Sequence, residues 1–334
     1  MRRVYRLQSI GGSIYVALPR EWLRSFNLDK GSPVEMTIDA DGSIKIQPVG
    51  AGNRIKSELG SRIVVDVNDV KSTFNAIITS YLRGFDIITI NFAGGAMERE
   101  IKRILDDARQ VLLGLEIIDM DSSSVTLQIL STVEGDVPSL IRNMGKIARS
   151  MYLDALNALV NGDSELAEAV PLRDFDLNRL YFYVTRTIRK KIVSSSIDQR
   201  DLLKLVDLRM TAKAIEEMGD EAKKAARGIA QLIQLNSISN ELLHRFKKDV
   251  DGLDEIFGKI IRKGLFLSAD LVELYDDMRM CEDLRRDLSE LKNNIMGNST
   301  REHVLFKVIY AYENIAVRIY DVLSLVPLKF EVER

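Results

Sequence analysis

Cysteine occurs once in these 334 residues, at Cys281, and histidine twice, at His244 and His303. A disulfide framework and a thiolate zinc site are thereby excluded, and catalytic constellations built around a histidine base lose most of their material. The chain has no P-loop, no nucleophile elbow and no His-Glu-x-x-His pair. No apolar run reaches the ~18 residues of a membrane-spanning helix. The basic start Met1-Arg2-Arg3-Val4-Tyr5-Arg6 is followed by no apolar block and does not read as a signal peptide. A cytoplasmic protein that is not an enzyme is the expectation. Charge of one sign is lacking too: 47 Lys and Arg stand against 49 Asp and Glu, a net of -2. Any nucleic-acid contact must then come from a local basic face.

What is present is ample core material. Hydrophobic residues make up 46% of the chain, enough to exclude wholesale disorder, and the length suits two or three domains. Residues 1–50 read as short strands with one short helix. Val4–Leu7 and Ile14–Leu18 flank a turn at Gly11-Gly12-Ser13, Pro19 opens a helical stretch at Arg20–Arg24, and Val34–Ile38 pairs with Ser43–Ile46 around Ala40-Asp41-Gly42. So small a unit buries little surface alone, which favours completing its core by oligomerisation.

Residues 51–135 begin with a linker, Ala51–Gly60, and continue in the order βαβαββ, which predicts a small α/β layer. Gly94-Gly95 between a strand and a helix reads as a turn rather than an anion site. Residues 136–326 are helical throughout. The first helix opens at Asp136 with Pro138 in its first turn, carries Leu140, Ile141, Met144, Met151 and Ala155 at helical spacing, and stops at Asn161-Gly162. Five more long helices follow, the second interrupted or kinked near Pro171. The expected fold is mainly α: an N-terminal β module, an α/β layer and two antiparallel three-helix bundles.

The N-terminal pieces resemble the AbrB/SpoVT swapped-hairpin family. The likeness rests on the strand entering Leu18-Pro19-Arg20-Glu21-Trp22, the turn Asn27-Leu28-Asp29-Lys30-Gly31 and the closing Asp41-Gly42-Ser43-Ile44-Lys45-Ile46. It implies an intertwined homodimer that binds DNA through basic residues of one β face. The candidates here are Arg2, Arg3, Arg6, Arg20 and Arg24. With Lys30 and Lys45 they make seven cations against five acids, an excess of two, so DNA affinity is expected to be modest and strongly salt-dependent. The alternative is a module that only dimerises the chain.

On the third long helix Arg209, Lys213, Glu216 and Asp220 are spaced four, three and four, which places them on one face. Glu216 and Asp220 lie one turn apart, so their carboxylates can converge on a cation. The plainer reading is an exposed face laced with pairs such as Lys213–Glu217 and Asp220–Lys224. The surrounding Ala214-Ile215-Glu216-Glu217-Met218-Gly219-Asp220-Glu221-Ala222 resembles the helix motif of the PhoU family, as do Met151–Leu156, Gly162-Asp163 and Asp174–Leu180. With the AbrB-like start, the chain looks like the archaeal PhoU-related regulators.

That resemblance implies two three-helix bundles able to hold divalent or transition metal ions. Asp174, Asn178, Glu216 and Asp220 are the implied ligands of the first bundle, with an amide at Asn178 where a carboxylate is expected. In the second bundle Glu313 matches, Val317 replaces the second acid, and Glu273 and Asp277 have the right spacing on the preceding helix. The implied role is a phosphate-related transcriptional regulator. The alternative is an adaptor that controls a phosphate transporter or signalling kinase by protein contact.

Two other features carry less. Glu241-Leu242-Leu243-His244 has di-iron ligand spacing, but no second copy accompanies it, so a surface histidine is expected. The basic clusters Arg186–Lys191 and Lys223-Lys224 with Arg227 are read as solvated helix faces.

Overall fold

The computed structural model describes residues 5–38, 42, 44–49, 62–67, 70–92, 98–130, 136–194, 197, 199–235, 239–263, 269–295 and 299–329. Arg2, Arg3, the linker at 51–60 and Gly94-Gly95 lie outside these residues. The chain divides into two compact units, Met1–Ser61 and Arg62–Arg334.

The first unit holds two antiparallel hairpins and a short helix. Strands β1 (Gln8–Ile10) and β2 (Ser13–Tyr15) pair Ile10 with Ser13 across Gly11-Gly12, whose φ values of 57° and 84° suit a two-residue hairpin loop. Of the expected strand Val4–Leu7, Val4 lies outside the described residues and Tyr5–Leu7 are not paired: the tight Gly-Gly loop puts the paired segment immediately beside the turn, and it ends at Gln8 and Tyr15. Helix α1 (Arg20–Ser25) follows Pro19, and β3 (Val34–Ile38) pairs with β4 (Ile44–Pro48). No residue of α1 is buried. Ile10, Ile14, Tyr15, Met36, Ile38 and Ile44 are 51–73% exposed, so both hairpins present apolar side chains to the outside of the chain.

The second unit starts with a four-stranded sheet of order β5-β6-β8-β7, formed by β5 (Arg62–Val67), β6 (Ile87–Phe92), β7 (Leu115–Met120) and β8 (Ser124–Ile129). Strands β5 and β6 are parallel and joined by α2 (Val70–Arg83), while β8 is antiparallel to both β6 and β7. Helix α3 (Glu98–Val111) connects β6 to β7. A closed core of Ile77, Tyr81, Ile88, Ile90, Leu105, Leu112, Val125 and Leu127 holds sheet and helices together.

Six long helices follow: α4 (Val137–Asn161), α5 (Ser164–Ser194), α6 (Gln199–Gln234), α7 (Asn240–Lys263), α8 (Leu271–Asn293) and α9 (Thr300–Ser324). Their starts obey local chemistry. Asp136 accepts from Ser139 N and Asp270 from Val272 N and Glu273 N, while Ser299 and Glu302 form a reciprocal capping box. Gly162 closes α4 in the left-handed region, φ 67°.

Of the expected interruption or kink near Pro171, the interruption does not occur: helix α5 is continuous through it. Proline forfeits one backbone bond there, but Ala167, Val170 and Leu177 on the same helix are fully buried and hold both halves in one core. Helix α6 packs on α4, α5 and α9. Across this core the Tyr312 hydroxyl on α9 donates to the Tyr152 carbonyl on α4 at 2.6 Å.

Candidate functional site

The polar column on α6 faces α5. Its spacing of four, three and four continues three residues further to Lys223, so Arg209, Lys213, Glu216, Asp220 and Lys223 share one face. Gly219 sets the depth of the seam: a Cβ there would stand 2.1 Å from Leu177 Cδ2 of α5. That close approach brings Asp174 and Asn178 of α5 beside Asp220 and Lys223.

Lys223 is the centre of this group. Its Nζ donates to Asp174 Oδ2 at 2.6 Å and to Asp220 Oδ1 at 2.7 Å, bridging the two helices. Asn178 Nδ2 donates to the same Asp174 oxygen at 3.1 Å, while Asp174 Oδ1 is buried without a hydrogen-bond partner. Burial works against the Lys223 ammonium, but its hydrogen bonds to Asp174 and Asp220 and their negative charge outweigh it, so its pKa is raised.

Glu216 does not join them. It accepts from Lys213 Nζ at 2.7 Å, and burial raises its carboxyl above the ordinary range despite that ammonium. Arg209 donates to the Tyr181 hydroxyl at 2.7 Å and lies over its ring. The expected Lys213–Glu217 pair forms at 3.2 Å. The expected Asp220–Lys224 pair does not: Lys224 turns outward to Glu221, because Asp220 faces the seam.

Of the four ligands inferred from sequence, Asp174, Asn178 and Asp220 come together and Glu216 sits apart with a lysine of its own. Among the described residues no group of three or more His, Cys, Asp or Glu side chains converges as a metal shell. The orphaned Asp174 Oδ1 is the one feature that suits an added cation. The Lys223 ammonium at the shared oxygens and the amide at Asn178 do not.

In the last three helices lysines again meet the acids, here from the preceding helix. Lys259 Nζ lies 2.9 Å from Glu273 and 2.7 Å from Asp277, and its pKa is raised because those contacts outweigh the opposing effect of burial. Lys292 is paired with Glu313, both nearly buried.

In the first unit Arg6, Arg20 and Arg24 are exposed, and Arg20 and Arg24 lie one turn apart on α1. The basic cluster near Arg186 is not a solvated face throughout. Arg186 is 5% exposed and pairs with Asp86, which Lys190 also grips. His244 and His303 are exposed at helix starts. The thiol of Cys281 is buried, donates to the Ala316 carbonyl and is pushed up to about 12 by that burial, which makes it an inert packing residue. Lys223 and Arg186 are the two residues sequence reasoning undervalued. The heptad step from Glu216 to Lys223 was the signal available for the first.

Comparison with known proteins agrees with this layout. A family model described as PhoU domain matches residues 141–229, and one described as antidote-toxin recognition MazE, bacterial antitoxin, matches residues 7–53. A phosphate-specific transport system accessory protein PhoU homolog of Pseudomonas aeruginosa is 23% identical over 153 residues, covering 45% of this chain and 62% of that protein. The homolog of Pseudomonas putida is 22% identical over 154 residues, covering 45% and 59%. The chain thus spans about three fifths of the length of these curated relatives. Among solved structures, the phosphate transport system regulatory protein PhoU from Streptococcus pneumoniae gives a TM-score of 0.47 at 17% identity, covering 57% of this chain and 90% of that one. PhoU from Pseudomonas aeruginosa gives 0.46 at 20%, covering 57% and 93%. This chain carries a PhoU domain preceded by a MazE/AbrB-like domain.

Proposed function

We propose that the protein is a cytoplasmic transcriptional regulator of phosphate uptake or metabolism. Its MazE/AbrB-like unit forms a homodimer that contacts DNA, and its PhoU domain reports phosphate status through a protein partner such as a transporter component or signalling kinase. The observation that carries this reading is the pairing of the two domains in one chain. The uncovered apolar strands of the first unit support the dimer, since a second copy would bury them. Exposed Arg20 and Arg24 on α1 support the DNA face.

Coupling follows if the helical domain adopts two arrangements that present the paired N-terminal units differently. A partner then shifts DNA binding by its differential affinity for those arrangements. Electrophoretic mobility shift on DNA upstream of the chain's own gene and of phosphate genes, repeated across salt, tests the reading. Discrete complexes that weaken steeply with salt are expected. Absence of discrete complexes at any salt contradicts it and leaves an adaptor that acts by protein contact.

A further inference from the structure

We infer that the cation of the α5/α6 seam is supplied by the chain itself: the Lys223 ammonium takes the position from which a divalent metal ion would bridge Asp174 and Asp220, and the helical domain closes there without metal. This inference stands apart from the DNA-binding reading, because it concerns only how α5 and α6 are joined.

Position is the first argument. An oxygen-ligated cation must lie in the gap between Asp174 Oδ2 and Asp220 Oδ1, within about 2.0–2.6 Å of each. Lys223 Nζ already lies 2.6 and 2.7 Å from those atoms. Ammonium and metal ion need the same space and repel each other, so the two occupants exclude one another. Asn178 presents its amide nitrogen, not its oxygen, to the same carboxylate.

Recurrence is the second. The other acidic pair singled out by its spacing, Glu273 with Asp277, is bridged by Lys259 from α7, and Glu313 on α9 is met by Lys292 from α8. The lysines come from two kinds of place: Lys223 from the same helix as Asp220, and Lys259 and Lys292 from near the end of the helix before the one that carries their acids. One placement accounts for Lys259 and Lys292 but not for Lys223. The common requirement is a positive charge wherever carboxylates from these helices meet at a half-buried position.

One ammonium neutralises one of the two charges on Asp174 and Asp220. The remainder sits partly on Asp174 Oδ1, the buried oxygen without a hydrogen-bond partner. Removing Lys223 therefore exposes two unneutralised carboxylates and an orphaned oxygen, a set that a divalent ion fits.

The full-length protein tests this with Mn2+ and Zn2+ as probes. Metal content after purification and after dialysis against each ion would be read by elemental analysis, and melting temperature with and without chelator by thermal unfolding. The wild type is expected to retain no metal that depends on Asp174, and its melting temperature to be unmoved by chelator or by Mn2+. Lys223→Ala is expected to melt lower and to be raised by Mn2+ but not by sodium at equal ionic strength, and Asp220→Asn added to it should abolish that rise.

Lys223→Met keeps the buried stem and should behave in the same way if the alanine variant does not fold. Wild-type protein that holds metal lost on Asp174→Asn, or that melts lower on chelation, overturns the inference. So does a Lys223 variant that melts like the wild type, or one that melts lower and gains nothing from Mn2+.

Discussion

Arg186 Nη2 on α5 donates to Asp86 Oδ1 at 2.5 Å, locking the loop between α2 and β6 onto the helical domain. The same guanidinium donates through Nη1 to the carbonyls of Tyr81 and Phe85 at 2.9 and 2.7 Å and lies over the Tyr81 ring. Burial lowers its pKa and Asp86 opposes that effect. Gly84 takes a φ of 95°, a conformation that favours glycine, and the Lys190 side chain also reaches Asp86.

Replacing Arg186 by Met should therefore cost about 2–4 kcal/mol, since it takes the guanidinium from the Phe85 carbonyl, leaves the Tyr81 carbonyl with only the Gly84 N–H, and leaves Asp86 with Lys190 alone. Lys190→Met removes a half-exposed partner and should cost less than about 1 kcal/mol. Denaturant unfolding of both variants measures the contrast.

Gly219→Ala sets two effects against each other. Alanine favours helix by about 1 kcal/mol. Its Cβ, however, would overlap Leu177 Cδ2, whose side chain is fully buried, and overpacking of that kind costs about 1–3 kcal/mol. A net loss of about 1 kcal/mol is expected, with a larger change in the α5/α6 seam than elsewhere, read by hydrogen exchange across Asp174–Tyr181.

Asp249 on α7 is buried, and burial first and the charge of Asp287 second push its carboxyl up to about 6, against the pull of Lys248 and Arg245. The folded state thus holds this proton more tightly than the unfolded chain. The stabilisation is present below pH ~4 and is lost as pH rises towards 6, amounting to at most about 3 kcal/mol. Asp249→Asn should stabilise the protein at pH 7 and flatten stability between pH 4 and 7. Wild type and variant that lose stability in parallel over that range would contradict the assignment.

The uncovered hairpins give a prediction of mass. Full-length protein should scatter light with twice the mass of one chain. Ile14→Asp combined with Met36→Asp should lower it, although both side chains are more than half exposed in the single chain. Equal masses for the two proteins would place the association elsewhere.

The start and stop of α4 were legible because their signals are local: Asp136 caps through Ser139, and Gly162 ends the helix by its own φ. The path of β1 was less so, because a two-residue loop, rather than β propensity, fixes which residues pair. Pro171 does not end α5, because tertiary burial on both sides outweighs one missing hydrogen bond.

In the seam, spacing put Glu216 and Asp220 on one face but could not say which helix they would meet. That depends on the Gly219–Leu177 contact between residues 42 positions apart, the difference of 219 and 177. Arg186 was hidden for the same reason: its partners Tyr81, Phe85 and Asp86 lie about a hundred residues earlier.

The most direct measurement of the account as a whole is capture of genomic DNA fragments by purified full-length protein, with Arg20→Ala and Arg24→Ala variants alongside. A few discrete promoters, including phosphate genes, enriched by the wild type and lost in the variants, is the result the account predicts. Enrichment no greater than a salt-sensitive background, equal in wild type and variants, would contradict it.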